Sequence, residues 1–146
     1  MKEGTASQTR RGIVVSDLHL FAHRSHGDAC FQSLRAELES VDLLVLNGDI
    51  FDFRWSTLRG HDTTADAAAI WLQNLAADFP RCEIHYVLGN HDCLSLFRKR
   101  LPLLCSAESR LHWHEHHLRL VTMKEKGGAY TQVVFVPVKP RLGGTQ

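Results

Sequence analysis

The chain has 146 residues, 44% hydrophobic and 23% charged, with a formal net charge of +1. That length suits one domain with a core of its own. No apolar run reaches the roughly 18 residues of a membrane span, the opening MKEGTASQTRR lacks a signal peptide's apolar centre, and near-neutrality argues against a nucleic-acid patch.

Charge is unevenly spread. Residues 1–92 carry eight Lys and Arg against thirteen Asp and Glu, whereas residues 93–146 carry nine against three, and no aspartate follows Asp92. The four cysteines form no Cys-x-x-Cys pair, so they read as reduced, mostly buried thiols of a cytoplasmic protein. Ten histidines are a heavy load for a chain of this size, and histidine is the commonest metal ligand.

In chain order, residues 1–11 are polar and expected to be disordered. The β-branched run Gly12–Ser16 is a buried strand. A helix is expected over Asp28–Ser40, with Asp28 as N-cap and Phe31, Leu34 and Leu38 on its apolar side. Val41–Leu46 is a second strand, stopped at Asn47-Gly48, and a loop follows from Phe51 to His61. Thr63–Phe79 is an amphipathic helix with Ala67, Ile70, Trp71, Asn74 and Leu75 on one stripe, closed by Pro80. Ile84–Leu88 is a third strand.

This β-α-β-α-β order predicts an α/β fold whose mostly parallel core is covered by helices through right-handed crossovers. Later elements are weaker: a short helix over Leu94–Leu104 ending near Pro102, and strands over Leu111–Val121 and Val133–Val138. Residues 12–138 form the expected domain, with 139–146 a disordered tail.

The three strands each end in chemistry. Asp17 and His19 follow the first, Asp49 and Asp52 the second, and Asn90, His91 and Asp92 the third. A parallel sheet delivers all three clusters to one carboxyl edge, where open α/β folds bind ligands. Taken singly, each cluster reads as a turn, and Asp52 or Asp92 as a helix cap. Together, four carboxylates at one edge need cations or sharply raised pKa values. Carboxylate, imidazole and amide oxygen suit Mn²⁺, Fe²⁺ or Zn²⁺. Gly48 and Gly89 allow the backbone close to such ions.

Asp17-Leu18-His19, Gly48-Asp49-Ile50-Phe51-Asp52 and Gly89-Asn90-His91-Asp92 resemble the successive motifs of calcineurin-like metallophosphoesterases. The resemblance covers residues 12–92. It implies the N-terminal part of a four-layer α/β/β/α sandwich and a two-metal centre hydrolysing phosphomonoesters or phosphodiesters by a metal-bound hydroxide. It further implies that Asp17 and His19 bind the first ion, Asp49 bridges both, and Asn90 binds the second. His91 would protonate the leaving group or orient the phosphate, with Asp92 holding His91 by a hydrogen bond. Asp52 would support these residues rather than ligate.

The family's later histidine motifs have no counterpart. No Gly-His-x-His run occurs and no histidine follows His117. His112, His114 and His116 would share one strand face and could chelate, although a solvated strand explains them as well. With a domain short for the family, the expectation is an incomplete version of a longer enzyme, truncated or frame-shifted near residue 120. Three readings follow: a phosphoesterase, intact or impaired; a non-catalytic binding module holding at most one ion; or a remnant that aggregates through unpaired sheet edges.

The expected substrate is a phosphate ester, such as a nucleotide or sugar-nucleotide. Phe51, Phe53, Arg54 and Trp55 place aromatic surface and a cation beside Asp52, with ordinary packing as the alternative. That loop is similar to the one in the family branch that cleaves the diphosphate of UDP-diacylglucosamine. His23 and Arg24, just past the first motif, are candidates for phosphate contact. Oligomeric state is not legible.

Overall fold

The computed structural model describes residues 11–123 and 130–137. Among them, the elements run β1 (Gly12–Val15), α1 (Gly27–Gln32), α2 (Arg35–Leu38), β2 (Leu43–Asn47), α3 (Gly60–Asp78), β3 (Glu83–Val87), α4 (Ser95–Ala107), β4 (Leu111–His114), β5 (Leu118–Met123) and β6 (Tyr130–Phe135). Strands β1 to β4 form one parallel sheet in chain order, and β5 and β6 form a separate antiparallel pair.

Each parallel step runs in the same direction, so right-handed crossovers put every helix on one face. Burial agrees: Phe31, Leu38, Ala68, Leu72, Phe97 and Leu101 from the helices share one core with Leu44, Leu46, Ile84 and Tyr86 from the strands. On the other face, Val45 and Val87 meet Leu118, with Leu43, Leu120 and Phe135 packed around them. The architecture is therefore α/β, three layers deep among the described residues. The expected outer helix layer beyond the hairpin is not among them. No helix is long and apolar enough to cross a membrane.

Several boundaries differ from expectation. The single helix over Asp28–Ser40 is two short ones. Ser33 Oγ donates to the Cys30 carbonyl at 2.6 Å, a local bond that competes with helix continuation, and the chain turns before α2. Asp28 is inside the first turn of α1 rather than its cap, which is His26. The buried stripe of α3 is Thr64, Ala65, Ala68, Leu72, Leu75 and Ala76; of the expected residues Leu75 lies on it and Trp71 packs at its edge, while Ala67, Ile70 and Asn74 do not belong to it. Ile70 is 54% exposed, because small alanines, rather than the bulkiest side chains, let the helix sit close on the sheet.

Helix α4 runs through Pro102, which sits on its exposed side. The ring removes one backbone bond, while buried Phe97, Leu101 and Leu104 hold both turns on the core. Leu111–Val121 is split into β4 and β5 by a turn at residues 115–117. Arg11, expected in a disordered end, joins the sheet edge through both backbone groups, its N–H on Asp42 Oδ2 and its carbonyl on the Asp42 N–H. The remaining expectations for the two ends, residues 1–10 and 138–146, lie outside the described residues. No disulfide joins the cysteines, and only Cys82 is buried; Cys30 and Cys93 are exposed, against expectation.

Arg110 closes the C-terminal end of α3. Its guanidinium donates to the carbonyls of Ala76, Phe79 and Cys82, each at 2.8 Å. The Ala76 carbonyl is in the last turn of α3, Phe79 is its C-cap and Cys82 lies in the turn beyond. Carbonyls at a helix end have no partner within it, and a cation is favoured there. Arg110→Met should therefore lower the unfolding free energy by about 2 kcal/mol, read from urea denaturation. An unchanged midpoint would show that water satisfies those carbonyls equally well.

Candidate metal centre

The first two strand ends do not simply fray into loops. Beyond β1 and β2 the pairing continues: the Asp17 N–H donates to the Gly48 carbonyl (3.1 Å), His19 to Asp49 (3.0 Å) and Leu20 to Ile50 (2.7 Å). Asp52 then donates back to the Leu20 carbonyl at 3.0 Å. Asp17, His19 and Asp49 all hold left-handed backbone, with φ of 58°, 48° and 55°. Such a conformation is unfavourable outside glycine, and its concentration at donor residues marks an over-determined, functional corner.

Three glycine and carboxylate contacts fix this corner from below. A Cβ on Gly89 would sit 2.5 Å from both the backbone N and Oδ1 of Asp49, so only glycine lets the third strand end pass beneath the second. The His91 N–H then donates to Asp49 Oδ1 at 2.7 Å. Gly27 is equally constrained: any side chain there would run into the Leu18 carbonyl, between the two residues of the Asp-x-His motif.

The donors fall into two overlapping groups. Ligand atoms of Asp17, His19 and Asp49 lie within 4.8 Å of one another, as do those of His19, Asp52 and His91. His19 belongs to both. Its Nδ1 lies 3.1 Å from Asp52 Oδ2 and its Nε2 3.7 Å from Asp17 Oδ1. The His19 and His91 rings meet edge to face, 4.9 Å between centroids. Asn90 is exposed beside them.

One expectation is corrected. Asp92 does not hold His91. Its carboxylate is fully buried and accepts the N–H groups of Gly89 (2.6 Å) and Ile50 (3.0 Å) and the hydroxyl of Tyr86. The carboxylate near His91 is Asp52, whose Oδ2 lies 3.4 Å from His91 Nδ1. Asp52 is itself buried and pinned by the Trp55 N–H on Oδ1 at 2.9 Å. Burial pushes the Asp92 carboxyl up from its ordinary value, against the pull of its three donors, and Asp49 adds to the rise. Burial and the Asp92 charge drive the Tyr86 hydroxyl well above 10, so it stays a donor. Tyr86 was missed in the sequence, although a tyrosine inside a buried strand needs a partner for its hydroxyl.

Beside the donors opens a cavity of about 750 Å³, lined by Asp17, His19, His23, Arg24, Asp52 and Trp55, among others. Of the expected aromatic surface, Phe51 and Phe53 belong to the core, where Phe51 stacks on Tyr86 at 5.9 Å. Trp55 is the exposed ring, with the Arg54 guanidinium 5.3 Å from its centroid. The histidine run of β4 lies elsewhere. His112 and His114 pack against His85, which is about 13 Å back along β3 from Gly89, and His116 is exposed past the strand.

A sequence model of the calcineurin-like phosphoesterase family matches residues 11–135, most of the chain. Among curated proteins there is no match.

Proposed function

Since the chain belongs to the calcineurin-like phosphoesterase family, we propose that it hydrolyses phosphate esters using divalent ions held at the carboxyl edge of its parallel sheet. The observation that carries this reading is the convergence of five side chains from three strand ends: Asp17, His19 and Asp49 gather their ligand atoms into one group, and Asp52 and His91 sit against His19. A mixed carboxylate and imidazole set on strained backbone fits Mn²⁺, Fe²⁺ or Zn²⁺.

Asp17, His19 and Asp49 would hold one ion, and Asp49 with Asn90 a second. When bound, the ions would supply Lewis acidity toward the phosphate oxygens and the attacking water. The chain does the rest. His91 gives a proton to the leaving oxygen, its ring oriented by Asp52 at Nδ1. Asp52 also orients His19, and Asp92 positions the loops bearing Asp49 and His91. Arg24 and His23, on the cavity wall, meet phosphate charge, and the exposed Trp55 ring suits the base of a nucleotide or sugar-nucleotide.

A second reading, a module that binds at most one ion without turnover, is favoured by one observation. Among the described residues, the histidines beyond His91 gather around His85 or lie exposed. One experiment separates the two. Chelator-stripped protein is given Mn²⁺, bound metal is counted, and release of nitrophenol is followed from an aryl phosphate and an aryl phosphodiester. Turnover that appears with Mn²⁺ and vanishes with chelator is the expected result. A single bound equivalent with no turnover would establish the second reading instead.

A further inference from the structure

The parallel register that gathers the metal centre also lines up a second set of donors. Val14, Val45, His85 and His112 are successive partners across β1 to β4, so they form one row on the face covered by the hairpin. The row begins with valines and ends with imidazoles. Glu83 precedes His85 by two residues and shares its face, as His114 does with His112. His85 is only 8% exposed. The rings of His112 and His114 both stack against it, 4.7 and 5.2 Å between centroids.

Each nitrogen of His85 meets a member of the cluster. Nε2 lies 2.7 Å from Glu83 Oε1, and Nδ1 lies 2.9 Å from His114 Nε2. Ligand atoms of Glu83, His85 and His112 all lie within 4.8 Å of one another. The carboxylate sets the tautomer of the ion-free chain: His85 Nε2–H donates to Glu83 Oε1 and Nδ1 accepts from His114 Nε2–H. An ion bound at Nε2 would displace that proton, leaving His85 to donate from Nδ1 to His114. Two imidazole nitrogens and a carboxylate oxygen, with a third histidine orienting one ligand from behind, are the ingredients of a site for a borderline divalent cation.

We propose that Glu83, His85 and His112 bind a Zn²⁺-class ion, with His114 as the positioning residue, separately from the centre at the strand ends. The ion would tie β3 to the edge strand β4. The donors come from a Glu-x-His on one strand and a His-x-His on its neighbour, in matching register.

The test uses the full chain without a polyhistidine tag, stripped by chelator, in an Asp49→Asn background that weakens the other centre. Zn²⁺ is titrated against a chromophoric chelator, and Co²⁺ is followed by its visible absorption. One equivalent of Zn²⁺ should bind and raise the melting temperature, and Co²⁺ should give intense low-symmetry bands. Adding His112→Gln should abolish that equivalent and the bands, while His114→Gln should weaken binding about 10- to 100-fold. Both positions are only half-buried, and circular dichroism verifies that the variants fold. Zn²⁺ binding unchanged by His112→Gln, or absent before it, would overturn the proposal. Neither readout needs turnover, so an inactive main centre leaves the test intact.

Discussion

Asp49→Asn is expected to remove Mn²⁺-dependent ester hydrolysis, by about 10³-fold or more, while leaving the chain folded. The magnitude follows from what the carboxylate does. Several kcal/mol of charge stabilisation on a phosphoryl group depends on the ions, and Asp49 is the donor the proposed sites would share. Asparagine is the informative replacement. Asp49 holds a φ of 55°, a conformation asparagine tolerates and alanine does not. Its amide oxygen can still accept the His91 N–H, now 2.7 Å from Oδ1. The substitution therefore removes charge without moving the two loops. Metal counting beside the assay completes the experiment. Near wild-type turnover in Asp49→Asn would remove the shared carboxylate from the mechanism, and with it the two-ion arrangement.

Much of this centre was legible because parallel topology turns sequence order into spatial proximity. Three apolar runs, the first and third followed by acid and histidine and the second by two acids, predict a single edge bearing Asp17, His19, Asp49 and His91, and the strands lie in that order. What topology cannot convey is which way a buried carboxylate turns. Asp92 follows His91 directly and reads as its partner, yet its acceptors' worth of hydrogen bonds goes to Ile50, 42 residues away, and to Tyr86 and Gly89. Asp52, further from His91 in sequence, takes that place.

The α3 stripe was only partly legible, for a related reason. Hydrophobicity favours Ile70, but packing distance favours alanine, and a helix with alanine on several sides has no unique apolar face in its sequence. The β4 histidines show a third limit. Their alternation suggested a shared face, but their partner is His85, hidden within a strand read as a continuous apolar run. Cross-strand register, not spacing along the chain, brings them together.

Asp92→Ala should cost about 3–5 kcal/mol of unfolding free energy, the largest stability loss expected of any single change near the centre. The carboxylate is 0% exposed and is the acceptor for three donors: the Gly89 and Ile50 N–H groups and the Tyr86 hydroxyl. Removing it strands all three in a dry interior, and an unsatisfied buried donor costs about 1–3 kcal/mol. Against a typical total of about 5–15 kcal/mol, that could leave little of the native population. Asp92→Asn should fall between, because its oxygen serves some donors while its NH₂ faces another. Urea denaturation in the presence of chelator isolates the fold from metal binding. Because Ile50 lies beside Asp49 and Gly89 lies under it, the same variants should also lose bound metal at urea concentrations where wild type retains it. An Asp92→Ala midpoint equal to wild type would mean that the carboxylate does not tie the second strand end to the third, and that the centre is held by Gly89 and the His91–Asp49 bond alone.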